Sequence, residues 1–153
     1  MNLATRPVSR LLLLAGLLVA SAIATAQAIA AEAVTVDESK TQSAGIRKVT
    51  SNHLVLYTDV ADNAAVDRLP AEFDKAVPLW AAYFGIDVTK TANWQARAFL
   101  VGDRRRFAAL GLMPPGYDNF ANGVTIGSDI WLHDQPTDYY RRHLLLHLSL
   151  IHI

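Results

Sequence analysis

The chain ends on RRHLLLHLSLIHI, a stretch that gathers three of its five histidines: His143, His147 and His152. Two imidazoles four residues apart on a helix lie about 40° from one another and share a face. That is a spacing at which a pair of histidines can grip one zinc ion. His152 falls five positions beyond His147, about 140° further round a regular helix, so it cannot join the same metal. Two histidines are one fewer than the three protein ligands of a usual catalytic zinc site. His133 and Asp134, at the end of the preceding segment, can help only if the fold brings them close. Read literally, the terminus offers a two-histidine metal pair, His143 and His147, or a helix that simply contains histidines.

These residues need a helix to hold them and a domain to hold the helix. QPTDYYRRHLLLHLSLIHI reads as that helix, with Thr137 or Asp138 as its cap. It is apolar nearly all round from Leu144 onward, which requires burial. Before it, SNHLVLYTDV is a strand: Leu54, Leu56 and Thr58 point one way, Val55, Tyr57 and Asp59 the other. In the following segment Val66, Leu69, Phe73, Val77, Trp80 and Phe84 step by three or four, one face of a helix. Asp62 is its expected N-cap and Gly85 its stop, and Pro70 and Pro78 should kink or divide it. WQARAFLVG is a second strand and DRRRFAALG a short helix opened by Asp103 and closed by Gly111. LMPPGYDNFANG is a turn-rich loop, and VTIGSDIWLHD a hairpin or two short strands. The order β-α-β-α-β-β-α, with hairpin-like neighbours, predicts an α+β domain on a mixed, largely antiparallel sheet.

The first 31 residues read differently. A start with two arginines and no acid, an apolar run from Leu11, and small residues at alternate positions (Ala24, Ala26, Ala28, Ala30) make a secretory signal peptide. The competing reading, a membrane anchor, is weakened by Ser21, Thr25, Gln27 and the many alanines. Adjacent twin arginines are absent, and with no cysteine there is no lipidation site. The mature protein would then be secreted or periplasmic, with no membrane attachment after cleavage. Residues 32–51 read as a polar linker with one short strand, and residues 52–153 as the folded domain. Without Arg6 and Arg10 the chain holds 12 basic side chains against 14 acidic ones, which gives no reason to expect a nucleic-acid partner. Stability must come from a core or a metal, since no disulfide can form.

The arrangement of a strand ending SDIWLHD followed by a helix YYRRHLLLH resembles gluzincin-type zinc metallopeptidases just before their H-E-x-x-H helix, and is most similar to uncharacterised secreted bacterial proteins with a peptidase-like domain. The resemblance runs from about Asn52 to His147, and RRHLLLH is its most specific part. It implies the front half of a peptidase domain, a peptide or protein substrate, and zinc in the intact parent with His147 as first ligand. In that family a Glu follows the first histidine as general base, a second histidine stands four positions on, and a downstream Glu completes the site. Here Leu148 stands in place of the base and Ile151 in place of the second histidine. The chain as given should therefore be inactive. Its last six residues, LSLIHI, resemble translated sequencing-adaptor sequence, and on that reading the natural chain departs from this one after His147.

Two other classes stay open: a small secreted binding module without catalysis, and a simple metal-binding protein using His143 and His147 as they stand. The triplet Arg104-Arg105-Arg106 reads as a solvated face, Tyr117 and Phe120 as loop residues tucked onto the core, Trp131 as core, and His53 as exposed and incidental.

Overall fold

The computed structural model describes residues 34–61, 64–114, 116–117 and 119–150. The expected signal peptide, the Asp62 cap and His152 lie outside these residues.

The class is α+β, as expected. The elements are α1 (Glu38–Ser43), β1 (Arg47–Thr50), β2 (Leu54–Thr58), α2 (Ala64–Asp67), α3 (Leu69–Phe84), a 3-10 turn (Val88–Thr91), β3 (Ala96–Val101), α4 (Arg104–Ala109), β4 (Gly123–Ile126), β5 (Asp129–His133) and α5 (Asp138–Ser149). From β2 onward this is the order read from the sequence. The stretch read as a polar linker with one short strand does carry one strand, the edge strand β1, but it also contributes α1 and the core side chains Val34 and Ile46. Its polar residues had hidden this. Glu38, Lys48 and the Tyr57 hydroxyl bond one another on the surface, with Tyr57 Oη donating to Glu38 at 2.7 Å.

The five strands are ordered β1-β2-β3-β5-β4. The antiparallel pairing expected from hairpin-like neighbours holds at both edges, β1 with β2 and β4 with β5. The centre is parallel, β2 with β3 and β3 with β5. The reason is the helix between each central pair: α2 and α3 carry the chain back across the sheet before β3, and α4 turns it before the β4–β5 hairpin. Parallel pairing needs such crossovers.

Strand alternation sorts the core into two. On one face Leu54, Leu56, Ala96, Ala98, Leu100, Ile130 and Leu132 meet Val66, Leu69, Phe73 and Val77 from α2 and α3, and Leu145 and Leu148 from α5. On the other, Tyr57, Phe99, Val101 and Trp131 meet Phe107 of α4, Leu112, Ile46 and Val34. Trp131 is core, as read from its spacing, stacked on Phe99 at 5.1 Å and donating its indole N–H to the Leu112 carbonyl at 2.8 Å. The long expected helix is divided before Pro70, which sits in the first turn of α3, where its missing N–H costs nothing. Pro78 lies inside α3 without ending it. Gly85 stops that helix at φ 66°, a conformation glycine adopts without strain. The α3 stripe is buried through Val77, but Phe84 at its end is exposed.

Two carboxylates fasten the strand ends. Asp59, after β2, accepts the amides of Gly102 (2.7 Å) and Asp103 (2.9 Å) after β3. Asp74 of α3 accepts the Ser51 hydroxyl (2.7 Å) and the amides of His53 (2.9 Å) and Asn52 (3.1 Å), so α3 holds the β1–β2 turn. Burial pushes the Asp74 carboxyl up, but the three donors together hold it below the usual aspartate range. Its stabilising effect is therefore complete above the unfolded-state value, about 3.9, and is lost as pH falls through the lower folded-state value. Asp74→Asn should cost about 1–2 kcal/mol at neutral pH, allowing for partial exposure. It should also flatten the acid limb of stability, which urea unfolding between pH 2 and 7 would read.

Among the described glycines, Gly123 has the tightest surroundings. A Cβ there would lie 2.5 Å from Leu148 Cδ1 and 2.9 Å from the Trp131 carbonyl. Gly123→Ala should destabilise by about 1–3 kcal/mol through overpacking. Adding Leu148→Ala should recover only part of this, because the backbone clash remains; a double-mutant cycle in urea checks it.

Candidate functional site

Helix α5 carries the candidate ligands, and its own residues explain its placement. Thr137 is the cap, its hydroxyl accepting the Tyr140 amide at 3.3 Å. Arg141, only 6% exposed, anchors the first turn. Its guanidinium donates to Asp134 (2.7 Å), to Asp138 (2.6 Å) and to the Gln135 carbonyl (3.1 Å). Burial disfavours its charge, but the two aspartates outweigh this and hold it above the ordinary arginine value. One side chain thus ties the end of β5 to the start of α5. Farther along, Leu145 and Leu148 enter the core, and the Leu148 carbonyl accepts the Thr125 hydroxyl of β4 at 3.2 Å. The expected all-round burial is met on this side only: Leu144, Leu146 and Leu150 are half-buried.

The outward face carries an aromatic ladder. Tyr139 and His143 stack with ring centres 5.9 Å apart, and His143 and His147 with centres 6.2 Å apart and planes within 16°. Both histidines are exposed. The spacing argument is therefore met: His143 and His147 share a face and are neighbours. The helpers are not gathered to them. His133 stacks on Phe120 at 4.4 Å, and Asp134 is engaged by Arg141. Among the described residues no group of three or more His, Cys, Asp or Glu side chains is placed to hold a metal. Two neutral imidazoles supply half of zinc's tetrahedral donor set. Among the described residues His143 and His147 are thus two potential donors on one exposed face, with no third donor placed beside them.

The remaining sequence candidates are structural. Asp103 caps α4 through the Arg105 amide, Arg106 pairs with Asp59 at 3.4 Å, and Arg104 reaches Asn119 at 3.2 Å. His53 is half-buried, not exposed, with Nδ1 2.9 Å from the Trp94 carbonyl. Tyr117 is exposed, whereas Phe120 packs partly on the core. Trp80 and Trp94, far apart in sequence, both meet Phe73, with ring centres 5.4 and 5.8 Å away. What the sequence reading missed is a cleft of about 370 Å³ between the α2–α3 junction and the first turns of α5. It is lined by Ala65, Arg68, Leu69, Glu72, Asp138, Tyr139 and Arg142. No motif announces it, because its residues come from segments some seventy positions apart.

The chain matches no family model, no curated protein and no solved structure.

Zinc titrated onto the full chain should bind weakly with release of protons, since each imidazole must be neutral to ligate. The double substitution His143→Ala and His147→Ala should abolish that binding and change stability by less than about 0.5 kcal/mol, as both side chains are exposed. Binding that survives the double substitution would locate the donors elsewhere.

Proposed function

We propose that the chain is the front part of an exported zinc metallopeptidase-like domain, with His147 the first zinc-binding residue of its parent, and that it is inactive as given. The observation that carries this reading is the setting of His147. It stands exposed on a helix that packs along β4 and β5, and β4 is the last strand of the sheet, paired on one side among the described strands. An unpaired strand edge is a surface on which an extended peptide can add as a further strand. The next position, where the resemblance places the general base, is turned towards that strand: Leu148 Cδ1 lies against Gly123. Zinc in such a site supplies an activated water. Of the described residues His147 is the ligand the resemblance carries over, with His143 one turn before it, and Leu148 can accept no proton.

The second reading, a simple metal-binding protein, is favoured by the 6.2 Å separation of the His143 and His147 rings.

A long sequencing read through the 3′ end of the gene tests the first reading. The expected result is a frame that runs past His147 into Glu and reaches a second His four residues after His147. Confirmation of LSLIHI and its stop codon would leave the two-histidine reading in the lead. For the chain itself, incubation with a peptide library should give no chelator-sensitive cleavage; reproducible cleavage abolished by chelator would refute its inactivity.

A further inference from the structure

The cleft beside α5 holds an imbalance of partners. Its two acids are already engaged by cations: Asp138 accepts from Arg141 at 2.6 Å and Glu72 from Lys75 at 2.9 Å. Its two arginines are not. Neither the Arg68 nor the Arg142 guanidinium makes a hydrogen bond or ion pair among the described residues. Arg68 is the N-cap residue of α3 but its side chain makes no cap bond, and Arg142 follows the anchored Arg141 on α5, which packs on α3. Both act on the Glu72 carboxyl, which Lys75 chiefly, and then Arg142 and Arg68, hold below the ordinary glutamate range. Both arginines line the same cleft, Arg68 from the α2–α3 junction and Arg142 from α5. Ala65, Leu69 and Tyr139 line the same cleft. A volume of about 370 Å³ is within the range of small-molecule clefts, about 300–1,000 Å³.

We propose that this cleft binds the oxyanion group, carboxylate or phosphate, of a small organic molecule, with Arg68 and Arg142 as its clamp. A guanidinium presents paired N–H donors that match the two oxygens of either group. The two guanidinium groups, neither of them in an ion pair among the described residues, offer that fork twice, and Ala65, Leu69 and Tyr139 supply apolar surface for the organic body. The site is separate from the metal reading: it uses neither histidine, and His143 touches it only through the Tyr139 stack.

The test uses the full chain, without added metal and at constant ionic strength, with phenyl phosphate and benzoate as probes of equal body and different head. The arginine Nε–Hε resonances report binding by NMR. Saturable shifts at Arg68 and Arg142 are expected, with Arg68→Gln and Arg142→Gln each weakening binding about tenfold or more. Arg105→Gln, an exposed arginine of α4, should change nothing. Saturation by phenyl phosphate alone assigns a phosphate ligand, by benzoate alone a carboxylate, and by both an oxyanion site that does not discriminate. No saturation by either probe overturns the proposal. So does binding indifferent to both cleft substitutions, or equally weakened by Arg105→Gln. All three arginines are exposed, so the variants should fold; urea unfolding of each confirms it.

Discussion

The register of β3 is the constraint on which the rest depends. The strand lies between β2 and β5, parallel to both, and every other residue faces a different core. Ala96, Ala98 and Leu100 lie under α3 and α5, while Phe99 and Val101 face α4 and Trp131. A slip of one residue would exchange the two sets. Phe99 would then be driven against the helices where alanine now sits, and the stack with Tyr57 and Trp131 would be lost. The small alanines leave room for Phe73 and the two tryptophans that meet it. Asp59 then holds the amides just after β3, and Asp74 those of the turn that leads into its neighbour β2, so the register is set by packing along the strand and by hydrogen bonds beyond its end.

The helix with the histidines inherits its position from this sheet. β5 pairs with β3, Arg141 ties the end of β5 to the first turn of α5, and Leu145 and Leu148 seat the helix on the same core as α3. The exposed ladder of Tyr139, His143 and His147 is what remains outside once the other side is buried. The same packing brings α5 near the α2–α3 junction and opens the cleft with Arg68 and Arg142. The chemical features of the surface are therefore the uncovered residues of one helix placed by core contacts.

Much of this was legible in the chain. The strands at Leu54–Thr58 and Ala96–Val101, the stop at Gly85, the caps Asp103 and Thr137, and the core role of Trp131 follow from local rules of period and hydrogen bonding. The shared face of His143 and His147 follows from helical geometry alone. Before β2 one short strand was legible, but α1 and the packing of this stretch onto the domain were not, because its polar residues satisfy one another across the surface, Glu38 with Lys48 and Tyr57, and Val34 and Ile46 are its buried core side chains. The parallel centre depends on how helices cross the sheet, which local pattern does not encode. His53 looked incidental because its partner, the Trp94 carbonyl, lies 41 positions away. The cleft was invisible for the same reason: Arg68 and Arg142 have no common motif.

A helix lying on a sheet has a rotational phase as well as a position, and here a glycine sets it. Gly123 leaves room for one leucine methyl and nothing larger, so Leu148 is the residue that points inward at that level. Turning α5 by one residue, about 100°, would bring His147 towards the strand and push Leu148 into water. The outward aim of both imidazoles is thus decided by the absence of a side chain on a different element. A side chain at position 123 would press on Leu148 and so on the helix that carries both histidines, and the surface they form depends partly on the hairpin.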